Sequence, residues 1–494
     1  MLFLLRLSSD LTTKADKTRR RFLRILIANL RDALQAEGLT ASVEPGWVRV
    51  LVTCDDARAA DVARRVFGVH SVSPVEEIAP GSLEELVDRA AAFFEPHMRG
   101  KTFAVRARKA TPVAYRSHDI EVELGAKLAP HGKVQLVNPQ VTCSVEVRDK
   151  HTYLFQDSYA AWRGLPGGAE GRAVALVSGG FDSAVAAWMM LRRGVALDYV
   201  FCRLGGPTHQ FGALRVMQIV GERWSYGDTP RIHVVPFEDV VHQIRSAARP
   251  ALWQLVLKRL MYRTAAAVAR ERHGQAIVTG EALGQVSSQT LRNLRALDGR
   301  LPLPVLRPLL GMDKEEIIDR AREIGTYEVS ATVQEYCDIV PERPSTSADP
   351  RSLAHDEDTV EFDLPAILSQ RRVLELRKIP VSELSLPDYE IDVIPPDAEV
   401  LDLRGLHAYR AWHYPGALHL DVGQALQILD KLDRSKTFVA YCEIGLKSAH
   451  LAYRMRQAGL DAYNFRGGLK QLARYATAHA QVPLELLPEG SLDQ

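Results

Sequence analysis

Val174-Ala175-Leu176-Val177, then Ser178-Gly179-Gly180-Phe181-Asp182-Ser183, then Ala184–Leu191 closed by Gly194: the reading of this chain turns on that stretch. Four consecutive apolar residues predict a strand buried on both faces. The second apolar run predicts a helix. Between them the paired glycines let the backbone turn tightly, so that amide N–H groups can surround an anion. The start of the helix adds its positive dipole end, and Ser178 and Ser183 add hydroxyls. No Gly-Lys-Ser/Thr follows, which excludes the P-loop of the common nucleoside triphosphatases. Asp182 is open to two readings: it orients magnesium or water, or it caps the helix it precedes.

Outward from this loop, strands and helices alternate, the pattern of a parallel sheet. Strands are expected near Ala173–Val177, Leu197–Cys202, Ile232–Val235, Ala276–Thr279 and Val305–Arg307. Helices are expected to start near Asp182, Gly212, Leu252 and Asp313. Thr279-Gly280-Glu281-Ala282-Leu283-Gly284-Gln285-Val286-Ser287-Ser288-Gln289-Thr290 follows a strand, and its small and amide residues suit the crevice where open α/β sheets bind ligands.

The 494 residues suggest about three domains. Sixty-two basic and sixty-one acidic residues exclude a wholly polybasic nucleic-acid binder and leave room only for local patches. One such patch lies along Lys14–Arg24, beside Phe22, Leu26, Ile27, Leu30 and Leu34 at helical spacing. Trp47–Val52 reads as a strand after it. A second patch is Arg99, Lys101, Arg106, Arg108, Lys109 and Arg116, on an α+β unit. Its strands are expected at Lys101–Arg108, Lys133–Val137 and Val141–Arg148, and its helices at Leu83–Phe94 and Ser117–Leu128. Five cysteines are too few for a disulfide framework and fit a reducing, cytoplasmic compartment. Cys54 and Cys143 read as core residues, and Cys202 as structural at the end of a sheet strand. The opening Leu2–Leu5 is too short for a signal peptide, and no apolar run reaches the ~18–20 residues of a membrane span. From Pro341 to Pro396, acids and prolines suggest a tether carrying some short helix such as Ala366–Leu376.

Near the end, Cys442-Glu443-Ile444-Gly445-Leu446-Lys447-Ser448 follows the strand Phe438–Ala440 and precedes the helix Ser448–Ala458. A cysteine there faces converging amides, which favour a thiolate and can hold a persulfide anion.

Ser178–Ser183 resembles the loop of the ATP pyrophosphatases, which split ATP between its α- and β-phosphates and adenylate a substrate oxygen. Further motifs extend the likeness: LGGPTHQFG at 204–212, the 279–290 stretch, RPLLGMDKEEI at 307–317 and EYC at 335–337. Together they resemble the tRNA 4-thiouridine synthetase (tRNA sulfurtransferase) family over nearly the whole chain. Residues 101–148 resemble a THUMP domain, an RNA-binding module. Val400–Arg404, His413–Ala417 and Phe465–Leu469 resemble a rhodanese domain around Cys442.

The resemblance implies a multidomain α/β protein. Its parts are an α+β ferredoxin-like domain at 1–58, a THUMP domain at 59–165, a parallel-sheet PP-loop ATP pyrophosphatase domain at 171–340, an acidic linker at 341–396 and an α/β rhodanese domain at 397–485. It implies ATP as cofactor, with Mg2+, and nucleotide contacts at Leu176, Val177, Lys258, Gly280 and Gln289, beside Ser178, Gly179, Gly180 and Ser183 of the loop. It implies catalytic roles for Asp182 and Lys314, a redox-active Cys337, a sulfur-carrying Cys442 and a Cys337–Cys442 disulfide. RNA contacts fall to Lys101, Arg106, Arg108, Lys109 and Arg116, and no protein-ligated metal is expected. The implied partners are tRNA, a cysteine desulfurase as persulfide donor and a thiazole-pathway sulfur-carrier protein. The implied reaction adenylates uridine 8 of tRNA and replaces its O4 by sulfur. A mainly sulfur-relaying role in thiazole (thiamine) synthesis is the alternative. A plain tRNA-binding protein fits poorly with intact loop, lysine and cysteine motifs.

Overall fold

The computed structural model describes residues 1–479 except 47, 48, 80, 112, 149, 150, 205, 332, 334–338, 340–342, 385, 386, 422–424, 427 and 444, and describes 206, 381, 382 and 446 by backbone alone. The chain forms two compact units. The first holds Met1–Glu170 with the segments Leu191–Ala196 and Arg223–Asp228; the second holds the remainder.

In the first unit the helix Asp16–Ala36 buries Phe22, Leu26, Ile27, Leu30 and Leu34 at three- and four-residue spacing. It covers strands Leu2–Leu7, Ala41–Pro45 and Arg49–Cys54. Trp47 and Val48 of the expected strand lie outside the described residues. The long strand Val69–Ile78 serves two halves at once. Its Val69–Val75 stretch pairs with Leu2–Leu7, while Glu76–Ile78 pairs with Thr152–Leu154. Ala59, Val62, Val69 and Val72 pack in the same core as Phe3 and Phe22, so the ferredoxin-like half extends beyond the expected boundary at 58. The second half stacks helices Leu83–Phe94 and Ser117–Leu128 on strands Thr102–Lys109, Val141–Arg148 and His151–Phe155. A capping box of Ser82 and Glu85 starts the first of these helices. The expected strand Lys133–Val137 is shorter, Lys133–Val134. Cys54 and Cys143 are buried in these cores.

The second unit carries the sheet that positions the site. Its strand order is Val305–Leu306, Ile277–Val278, Arg172–Leu176, Ala196–Arg203, Arg231–Pro236, Arg372–Glu375. The chain runs outward from Arg172–Leu176 in one direction and then returns to add strands on its other side. The order therefore reverses between Arg172–Leu176 and Ile277–Val278, the place where open α/β sheets bind ligands. The helices include Phe181–Arg192, Gly206–Trp224, which starts before the expected Gly212, and Trp253–Glu271. Glu238–Ala247 and Leu291–Asp298 are helices that the sequence reading did not place.

The acidic segment departs from the expected tether. Pro350–Asp358 is a helix with Leu353 fully buried, and Arg372–Glu375 is an antiparallel edge strand in register with Arg231–Val234. Two of its acids are buried ion-pair partners: Asp356 for Arg249 at 2.8 Å, and Glu357 for Arg259 at 2.8 Å and Arg263 at 3.1 Å. The expected helix Ala366–Leu376 is Leu364–Ser369 followed by that strand.

A separate five-stranded parallel sheet follows, in the order Glu390–Ile391, Asp461–Phe465, Thr437–Tyr441, Glu399–Asp402, Leu418–His419. It begins before the expected 397. Among the described residues no helix is long and apolar enough to cross a membrane.

Candidate functional site: a phosphate loop and a cysteine loop

The strand Arg172–Leu176 ends in Ser178-Gly179-Gly180, and the helix begins at Phe181. Gly179 has φ +86° and packs so tightly that a Cβ would stand 2.7 Å from Ala213 Cα. Ser178 N–H donates to Ser183 Oγ at 3.3 Å, Gly180 N–H to Ser178 Oγ at 3.4 Å, and Ser183 Oγ to the Gly180 carbonyl at 3.1 Å. The loop is thus preshaped by its own hydroxyls. Gly280, from the facing loop, presses against it: a Cβ there would lie 2.6 Å from the Asp182 carbonyl carbon. Only glycine allows the two loops to meet.

Lys314 also reaches the loop. A capping box of Asp313 and Glu316 fixes the start of the helix Lys314–Ile324, and Gly325 at φ +82° ends it. Lys314 is the first residue of that helix. Its ammonium pairs with Asp182 Oδ1 at 3.0 Å and lies over the Phe181 ring. Gln285 Nε2 donates to Asp182 Oδ2 at 3.1 Å. Asp182 therefore bonds side chains from two distant motifs, beyond any part in starting its own helix.

A cavity of about 630 Å³ opens at this edge of the sheet, lined by Leu176, Val177, Ser178, Asp182, Ser183, Lys258, Gly280 and Gln289. The described neighbours of the EYC motif also lie here. Ile339 lines the cavity, and Val333 Cγ1 comes within 3.1 Å of the position a Gly179 Cβ would take. Cys337 itself lies outside the described residues. Four further lining residues escaped the sequence reading as functional groups: Glu281, Tyr262, His209 and Gln285. Cys202, read from sequence as structural, is buried and lines the cavity too, and burial pushes its thiol pKa up. Burial likewise lowers His209 to about 4, so its ring is neutral at pH 7. Burial opposes the charge of Glu281, but Lys258 and Arg307 outweigh it and hold its pKa at about 2. Gln289 Oε1 is buried and has no hydrogen-bond partner among the described residues, an acceptor suited to a donor on a ligand.

The second loop sits at the end of Thr437–Tyr441. Cys442 is buried, and its Sγ accepts from Gly445 N–H at 3.1 Å and the Ser448 hydroxyl at 3.4 Å. Gly445, at φ +92°, turns the chain into the helix Leu446–Gln457. Below the loop, Asp402 accepts from Arg404 and, at 2.6 Å, from the Tyr441 hydroxyl, which fixes the strand end that carries the cysteine.

In the first unit, a cavity of about 680 Å³ is lined by Arg6, His70, Arg106, Arg108 and Arg163 among others. Lys101, Arg106, Arg108, Lys109 and Arg116 are all exposed. Arg106 donates to the Leu136 carbonyl, Lys109 to the Val113 and Tyr115 carbonyls, and Arg116 pairs with Asp119 at 3.1 Å.

Known proteins share this organisation in the same order. The ThiI ferredoxin-like domain matches residues 2–73, the THUMP domain 80–157, the family described as "Thiamine biosynthesis protein (ThiI)" 168–362, and the rhodanese-like domain 390–474. A tRNA sulfurtransferase of Pyrobaculum aerophilum is 36% identical over 468 residues, 92% of this chain and 95% of that one. One of Desulfurococcus amylolyticus is 37% identical over 482 residues, 96% and 98% of the two chains. The chain belongs to the tRNA sulfurtransferase family, a family of enzymes. A solved structure described as a 4-thiouridine synthetase–RNA complex with bound ATP superposes with a TM-score of 0.67 at 30% identity, covering 76% of this chain and 98% of that one. In this chain the phosphate loop and the cysteine loop stand on two separate sheets.

Proposed function

We propose that this protein makes 4-thiouridine in tRNA, using ATP to activate the uridine and Cys442 to carry the sulfur. The observation that carries the reading is the convergence of Ser178, Asp182, Ser183, Lys258 and Gln289 on one crevice, with Lys314 paired to Asp182, in a chain that also holds a cysteine in a self-contained loop. The similar structure with bound ATP and RNA supports both substrates.

ATP lies with its phosphates against the loop amides. Uridine O4 attacks the α-phosphorus, the bond to the bridging oxygen breaks, and pyrophosphate leaves. The amides stabilise the charge that develops on it, while Lys258 binds the phosphates of the bound nucleotide. Lys314 and Gln285 hold Asp182 in place. Asp182 is the carboxylate here that would hold Mg2+. That ion commonly takes one or two carboxylates plus substrate phosphates, which fits the single carboxylate of Asp182 beside the phosphate loop. When bound, it neutralises phosphate charge.

A cysteine desulfurase loads Cys442 as a persulfide, held by Gly445 N–H and Ser448. Cys337 then attacks Cys442 Sγ, the persulfide S–S bond breaks, and the terminal sulfur displaces AMP from C4. A Cys337–Cys442 disulfide remains, and a two-electron thiol reductant resets it. The positions of Val333 and Ile339 at the crevice support the role of Cys337. The exposed Lys101, Arg106, Arg108, Lys109 and Arg116 supply RNA phosphate contacts from the THUMP half. The same persulfide on Cys442 serves a thiazole-pathway sulfur-carrier protein, a reading that the family description favours. Pyrophosphate release with and without tRNA tests the activation step. tRNA-dependent release supports it, and its absence with tRNA bound rejects it.

A further inference from the structure

Glu281 is a buried carboxylate in the crevice that the activation chemistry leaves unused. It is 4% exposed and accepts from four side chains: Tyr262 Oη at 2.5 Å, Arg307 Nε at 2.7 Å, Lys258 Nζ at 2.8 Å and Thr279 Oγ1 at 3.2 Å. Lys258 and Tyr262 stand one turn apart on the helix Trp253–Glu271, so one carboxylate grips two successive turns of it.

The two cations on Glu281 are held differently. Arg307 is anchored a second time by both oxygens of Asp298, at 2.5 and 2.9 Å, and its side chain is 6% exposed. Lys258 has Glu281 as its one ion-pair partner among the described residues, and its side chain is 26% exposed. Removing the charge of Glu281 would leave Arg307 fixed and release Lys258.

We infer that Glu281 is a positioning residue for ATP: it holds the Lys258 ammonium at the crevice before the nucleotide arrives. This rests on the proposal that the crevice binds ATP. A lysine ammonium has three N–H donors. One goes to Glu281, which leaves two for phosphate oxygens. A flexible side chain fixed in advance loses less freedom when the ligand binds, so the affinity gain comes from preorganisation. The charges of Glu281, Lys258, Arg307 and Asp298 cancel, so the cluster stays paired without ligand.

The test compares full-length wild type with Glu281→Gln, Lys258→Met and the double variant. It measures KM for ATP and kcat in tRNA-dependent pyrophosphate release, with thermal melting alongside. Gln keeps the volume and can still accept from Tyr262. The expected result is an ATP KM raised about tenfold in Glu281→Gln, with kcat changed less, as for the loss of one charge-assisted contact. In the Lys258→Met background, Glu281→Gln should add no further change in KM. A lowered melting temperature with KM unchanged, or effects that add fully in the double variant, would overturn the inference. Tyr262→Phe provides a milder arm should Glu281→Gln fail to fold. It removes one donor to Glu281 and should raise KM about threefold; an unchanged KM there also counts against the inference. A wild type that binds no ATP overturns the functional proposal itself, whereas ATP binding with a normal KM in Glu281→Gln overturns only the role of Glu281.

Discussion

The Ser178–Ser183 and Cys442–Lys447 loops use one backbone device for two chemistries. In each, a parallel strand ends in a glycine-bearing turn and feeds a helix N-terminus, so that amides and a helix dipole gather round a point. In the first loop the serine hydroxyls accept from the amides, and charged side chains arrive from distant elements: Lys314 from one helix, Lys258 from another. In the second, the atom proposed to carry sulfur is built in. Cys442 Sγ itself takes the Gly445 N–H and the Ser448 hydroxyl, and both donors lie within six residues. The first site needs the whole domain assembled around it. The second is nearly complete in one segment.

The comparison predicts losses that cross. Cys442→Ser should abolish sulfur loading and tRNA thiolation completely, because a hydroxyl forms no persulfide, and should leave pyrophosphate release intact. Radiolabelled sulfur transfer checks the first and phosphate assay the second. Asp182→Ala should lower pyrophosphate release about a hundredfold, in the range of losing one electrostatic group at a reacting centre. Loading of Cys442 and tRNA affinity should be unchanged. If Asp182→Ala also blocked loading, the two loops would not be separable.

Gly445→Ala should do less. It forces a left-handed conformation on a residue with a Cβ, which costs about 1–2 kcal/mol. The expectation is a stability loss of that order in denaturant titration and slower loading, with ATP chemistry untouched. The smallest effect concerns acid. Glu281 has its pKa lowered from 4.5 to about 2 in the folded protein. The stability it contributes is therefore fully present above pH 4.5 and is lost as pH falls toward 2. Between pH 5 and 8 Glu281 should stay ionised, and Glu281→Gln should flatten the acid limb of the stability curve. A wild-type loss near pH 6 that Glu281→Gln removes would contradict the assignment.

Local pattern made both loops legible. The strand, the paired glycines and the helix of the phosphate loop lie consecutively in sequence, as do the strand, Cys442 and Gly445 of the other. Periodicity also identified the five parallel strands of the central sheet and the helix Ser117–Leu128. The acidic segment was misread because composition ignores partners. Asp356 and Glu357 look like a solvated run, yet they pair with Arg249, Arg259 and Arg263, about a hundred residues earlier. The same blindness hid Glu281. It sits inside a recognised motif, but its role depends on Lys258, Tyr262 and Arg307, which only the fold brings to it. The long strand Val69–Ile78 concealed the first boundary for a related reason: one element serves two halves.

The central claim is that sulfur on Cys442 passes to a uridine activated by ATP. Sulfur-34 loaded onto Cys442 by a cysteine desulfurase, followed by one turnover with tRNA and mass analysis of the nucleosides, tests it most directly. The account predicts sulfur-34 in 4-thiouridine only when ATP is present, together with a Cys337–Cys442 disulfide in non-reduced peptides. Labelled 4-thiouridine formed without ATP, or formed by Cys442→Ser, would contradict it.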